Sequence, residues 1–181
     1  MFDDKILKVA TKLVGFLGKS EDEKLPKEIV YVVKHHSKMV LGSALIPVPG
    51  ADVASGVVII QRMYAKINKK IGLSAKENFI KKIGSGVQKK LVSYMAVSGV
   101  ASAMKFIPGV GSIGGAVIMS ASLFTITMVS GYVYLQALCK LAEKNGPDIN
   151  IDEIGAATIE ILSDKDTIKN MITKVKNCYK K

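Results

Sequence analysis

The stretch FIPGVGSIGGAVIMSASLFTITMVSGYVYLQALC, Phe106 to Cys139, runs 34 residues without Asp, Glu, Lys or Arg. It opens on the turn-forming string Ile107-Pro108-Gly109-Val110-Gly111 and continues as a Gly-, Ala- and Ser-rich apolar segment with no Pro to interrupt it. A segment of this length that is apolar all round reads as a helix enclosed on every side, by lipid or by other helices. A shorter counterpart lies upstream. Met39 to Gln61 carries one charge, Asp52, and is broken by Ile46-Pro47-Val48-Pro49-Gly50, so the pattern Ile-Pro-x-x-Gly occurs twice, 61 positions apart.

Each copy stands between two helix-compatible segments, with apolar residues next to the turn and charged residues away from it. This gradient predicts an all-α fold built on two antiparallel helical hairpins with apolar tips. The first rises from about residue 27 to 45 and descends from 51 to 71, with Asp52 in the first turn of the descending helix, where a carboxylate favours the exposed amides. The second rises from about 75 to 106 and descends from 112 to 144, stopped by Asn145-Gly146-Pro147. In the second descending helix, Gly111, Gly115, Ala116 and Ser120 form a small-residue ridge suited to close helix packing.

Amphipathic helices flank this core within one domain, residues 1–181. Residues 1–19 place Phe2, Ile6, Leu13 and Leu17 at helical spacing, and residues 147–181 hold two short helices. The first of these carries Ile151, Ile154, Thr158, Ile161 and Leu162 behind an Asp148 or Asn150 cap; the second carries Ile168, Met171, Ile172 and Val175. The two-hairpin core occupies 27–146.

The net charge is +11, which calls for an acidic partner or surface. Nine basic residues, Arg62, Lys66, Lys69, Lys70, Lys76, Lys81, Lys82, Lys89 and Lys90, face a single acid, Glu77, in the segment joining the feet of the two hairpins. Nucleic-acid binders interleave such charge with stacking aromatics. Here only Tyr64 and Phe79 fall inside the cluster and the chain has no Trp, so an anionic membrane surface or a protein partner is expected rather than nucleic acid. The other reading of the cluster, a solvated lysine-rich face, stays open at this stage.

Strings that resemble enzyme motifs fail on context. Gly109-Val110-Gly111-Ser112-Ile113-Gly114 spells G-x-G-x-x-G, but a Pro and a helical segment precede it and no acid follows until Glu143, so a dinucleotide site is not expected. Gly18-Lys19-Ser20 lacks the first glycine of a phosphate loop, since position 13 is Leu13. His35 and His36 are adjacent on a helix and diverge by about 100°, unlike the i, i+4 pair that chelates zinc. Cys139 and Cys178 have neither zinc-site spacing nor a disulfide pattern. Asp3 and Asp4 argue against a cleavable signal. The expectation is therefore a non-enzymatic protein without cofactor or metal, cytoplasmic or facing the cytoplasm, open to homo-oligomer formation.

Ile46-Pro47-Val48-Pro49-Gly50-Ala51-Asp52-Val53, together with Lys105-Phe106-Ile107-Pro108-Gly109-Val110-Gly111-Ser112 and the long apolar helix, resembles the YcjF-type domain of unknown function. The resemblance covers about residues 27–146. It implies an all-helical, membrane-prone module that accompanies GTPase domains; this chain has no such domain, so a GTPase would act in trans.

Length permits two outcomes for the apolar helix. Ser112 to Cys139 reaches about 42 Å at ~1.5 Å per residue, more than the ~30 Å of bilayer hydrocarbon. Ser120, Ser122, Thr125, Thr127 and Ser130 along it suit burial among helices equally well. The two functional expectations are a membrane-associated hairpin protein and a soluble helical bundle acting as a protein-binding regulator or immunity-type module.

Overall fold

The computed structural model describes residues 27–43, 51–97, 115–146 and 149–179. The chain is all-α: the described residues form six helices and no strand. They are α1 (Lys27–Ser43), α2 (Ala51–Ile71), α3 (Glu77–Val97), α4 (Gly115–Asn145), α5 (Ile151–Ser163) and α6 (Lys165–Tyr179).

From residue 115 on, the uncharged segment forms α4, and α4 is the hub. It packs against α1, α2, α3, α5 and α6. Every residue from Leu123 to Gly131 is buried, which a helix with one open side cannot achieve at 3.6 residues per turn. Charge returns only in the last turns of α4, where Lys140 meets Glu160 at 2.6 Å and Lys144 meets Glu153 at 3.7 Å on α5.

Side-chain contacts give the helix directions. Glu28 at the start of α1 meets Lys70 near the end of α2 at 2.9 Å, so these two helices run antiparallel. Gly56 of α2 lies against Gln88 of α3, and Gly84 of α3 against Ile60 and Gln61 of α2, again antiparallel. Tyr64 and Asn68 of α2 bond to Ser130 and Tyr134 of α4, a constant offset of 66 positions that makes α2 and α4 parallel. The pairs Lys140–Glu160 and Lys144–Glu153, rising along one helix and falling along the other, make α5 antiparallel to α4. The expected pairing of these helices into two hairpins rests on turns at 46–50 and 107–111. Those turns, Lys105 and the expected N-terminal helix all lie outside the described residues.

Local chemistry accounts for the helix ends. α2 stops at a Schellman motif: Leu73 N–H donates to Asn68 C=O at 2.9 Å and Gly72 N–H to Lys69 C=O at 3.4 Å. Gly72 takes φ +73°, a conformation glycine adopts without steric cost, and the following Leu73 is buried. α4 ends at Gly146, φ +70°, as the Asn-Gly-Pro string predicts. Asn150, rather than Asp148, caps α5 by accepting from Asp152 N–H at 3.0 Å. Asp164 separates α5 from α6 and caps the latter, accepting from the N–H groups of Asp166 and Thr167 and the Thr167 hydroxyl at 3.0, 3.1 and 2.7 Å.

The core is nearly continuous, drawing on all six helices, with a small satellite of Val40, Ile59 and Leu123 where α1, α2 and α4 meet. Ile154, Thr158, Ile161 and Leu162 of α5 and Ile168, Met171, Ile172 and Val175 of α6 are buried against it.

Candidate functional site

All nine basic residues between Arg62 and Lys90 are exposed. The reason lies in the two helices that carry most of them. α2 turns Ile60, Met63, Tyr64, Ile67 and Ile71 inward, and α3 turns Ile80, Ile83, Val87 and Leu91 inward, so the remaining faces meet water. Arg62, Lys66 and Lys69 follow i, i+4, i+7 along α2. Lys82 and Lys89, seven apart, lie on one face of α3. Gln61 sits at the seam between the helices, its amide 3.4 Å from the Ser85 hydroxyl.

Three of the nine are engaged by neighbours. Lys70 pairs with Glu28. Lys81 pairs with Glu77 at 2.7 Å, one turn apart; its donated hydrogen bond and then its charge hold the Glu77 carboxyl below the usual carboxylate range. Lys90 donates to the Ser163 hydroxyl at 2.8 Å, tying α3 to α5. Among the described residues, Arg62, Lys66, Lys69, Lys76, Lys82 and Lys89 have no ion pair or hydrogen bond, so this surface carries a surplus of cations held in place by a packed scaffold.

Asp52 lies in the first turn of α2, and Gly115, Ala116 and Ser120 in the first turns of α4; their side chains are outside the described residues, as are Ile46, Pro47, Pro49, Gly50, Ile107, Pro108, Gly109 and Gly111. Close helix approach is instead visible at Gly131 of α4. A Cβ there would stand 2.8 Å from Val33 Cγ1 and 3.2 Å from Met63 Sδ. The sequence signal for it was a lone glycine in an uncharged helix, which the Gly-x-x-x-Gly pattern upstream overshadowed.

Inside the bundle, polar groups are used for joining helices. The Tyr64 and Tyr134 rings stack at 4.0 Å between centroids. Tyr64 donates to Ser130 C=O at 3.1 Å and Tyr134 to Asn68 Oδ1 at 2.8 Å. Burial pushes the Tyr64 phenol well above its ordinary value and Tyr134 up to about 12; both stay neutral. The Cys139 thiol is also raised, by burial and then by Glu143, which makes it a poor nucleophile. His36 donates from Nδ1–H to Val32 C=O at 2.7 Å. Burial first, then His35, Lys66 and Arg62, hold its imidazole below the ordinary value, against the raising effect of that hydrogen bond. Among the described residues no three His, Cys, Asp or Glu side chains gather as metal ligands.

No family model, curated protein or solved structure matches this chain. Among the described residues one helical stretch, Ser122–Asn145, is long and apolar enough to cross a membrane, and 83% of its most apolar window is buried within the bundle.

Proposed function

We propose that this chain is a non-enzymatic protein that binds an anionic membrane surface peripherally through the basic face of α2 and α3. The observation that carries the reading is the surplus of cations on a folded surface: all nine basic residues exposed and, among the described residues, only two of them in ion pairs. Lysines near such a surface contribute on the order of 1 kcal/mol each, reduced by salt. The burial of α4 among five helices favours peripheral binding over insertion, because its apolar sides already have protein partners. That burial equally suits a soluble regulator that engages an acidic protein, such as a GTPase-type partner in trans, with the same cations.

The test is flotation of the intact chain with vesicles of phosphatidylglycerol and phosphatidylcholine, compared with phosphatidylcholine alone. Binding to the anionic vesicles, released by high salt, is expected. Replacing Lys69, Lys70, Lys81 and Lys82 together by Gln should weaken it strongly while the helical circular dichroism stays unchanged. Equal binding by both proteins, or by neutral vesicles, refutes the assignment. Retention after carbonate extraction indicates an inserted helix, and absence of lipid binding leaves the protein-partner reading.

A further inference from the structure

The most exposed apolar side chains on α1 and α2 sit together among cations. Tyr31 is 66% exposed and Met39 42% on α1, and Val58 is 43% exposed on α2. Tyr31, His35 and Met39 are spaced i, i+4, i+8, one above another on the open side of α1, and the Tyr31 ring stacks on His35 with centroids 5.5 Å apart. The antiparallel pairing fixed by Glu28 and Lys70 brings Met39 level with Val58, since their neighbours Val40 and Ile59 share one buried cluster. Arg62 and Lys66 lie close enough to α1 to act on His36, and Lys38 is exposed one residue before Met39.

We infer that this α1–α2 face is the part of the molecule that enters the membrane interface, with Tyr31 and Met39 inserted between anionic headgroups held by Lys38, Arg62 and Lys66. The inference rests on the membrane-surface reading above and adds orientation and an apolar component to it. Charge complementarity names the occupant. Among the described side chains of α1 and α2 the exposed cations outnumber the acid Glu28, which Lys70 already engages. The face consists of apolar side chains standing out on two helices between long cationic ones, the arrangement by which an amphipathic surface lies in a bilayer interface. Duplex nucleic acid would use the same charge but offers nothing to Met39 and Val58.

The absence of Trp makes the test direct. Tyr31→Trp and Met39→Trp each give the chain a single indole on this face, and Ile159→Trp gives one on α5, where Ile159 is 58% exposed. Each variant is mixed with anionic vesicles whose acyl chains are brominated. The first two should shift to the blue and be quenched, and the third should do neither. In addition, Tyr31→Ser with Met39→Ser should lower affinity for the anionic vesicles at low salt by roughly tenfold, because the apolar contribution is lost while every cation is kept. Both residues are exposed, and unchanged circular dichroism establishes that the variants fold. Binding with unshifted, unquenched Trp at 31 and 39 overturns this orientation while leaving the basic-face reading intact. No vesicle binding by any chain overturns both, and an acidic protein then becomes the occupant to seek.

Discussion

Helices α2 and α4 run parallel and share a tyrosine stack, yet their sequences differ in kind. α4 is apolar on every side until its last turns, whereas α2 alternates a buried Ile, Met and Tyr face with Arg62, Lys66, Lys69 and Lys70. The difference follows from the number of neighbours. Five helices surround α4, leaving no direction in which a charge could reach water over most of its length. α2 packs against α1, α3 and α4 and keeps one side open, and the cations fill it. Uniform hydrophobicity in this chain thus reports centrality in the bundle, and amphipathicity reports a place at its edge.

Placing the same new charge on each helix gives the sharpest break. Val133→Lys buries an ammonium at a fully enclosed position of α4 and should cost several kcal/mol, enough to abolish cooperative thermal unfolding. Ala65→Lys on the exposed side of α2 should stay within about 0.5 kcal/mol. Similar losses from the two would mean that α4 is less enclosed than its packing shows.

The polar joint between the two helices has an intermediate effect. Tyr134→Phe leaves the buried Asn68 Oδ1 without its 2.8 Å donor and should destabilise by about 1–3 kcal/mol in chemical denaturation. Combining it with Asn68→Leu should be less harmful than the sum of the single changes, a non-additivity that a double-mutant cycle measures.

Acidification probes the α1–α2 seam. Because the folded state holds His36 below the ordinary 6.5, the unfolded chain takes up that proton first as pH falls. The His36 contribution is complete above about pH 6.5 and declines as pH drops through the lower folded value. Between pH 7 and 5 the chain should lose stability relative to His36→Gln, read from thermal melts. Parallel pH profiles would show that His36 is neutral or charged alike in both states.

The smallest effect is at the surface. Glu28→Gln removes the partner of Lys70, and both groups are open to water, so the loss should be under about 1 kcal/mol and fade in high salt. The same change frees Lys70 and should tighten binding to anionic vesicles slightly. A large, salt-independent loss would place this pair in the core of the α1–α2 contact.

Sequence by itself determined the all-α class and, among the described residues, where α2 and α4 end. Gly146 after Asn145, Asn150 before Ile151 and the inward faces of α5 and α6 are set by local backbone preferences and a 3.6-residue period, which need no knowledge of distant residues. It also determined that the cations from Arg62 to Lys90 would be exposed, since charge separates from apolar residues along α2 and α3. Tertiary structure alone decided what covers Leu123 to Cys139, because lipid tails and Leu side chains make the same demand on a helix and leave the same composition. It also placed Gly131 against Val33 and Met63, stacked Tyr64 on Tyr134, and left Tyr31 and Met39 exposed. The contacts among these join residues about 70 to 100 positions apart, set by which helix faces which, and no local pattern encodes them.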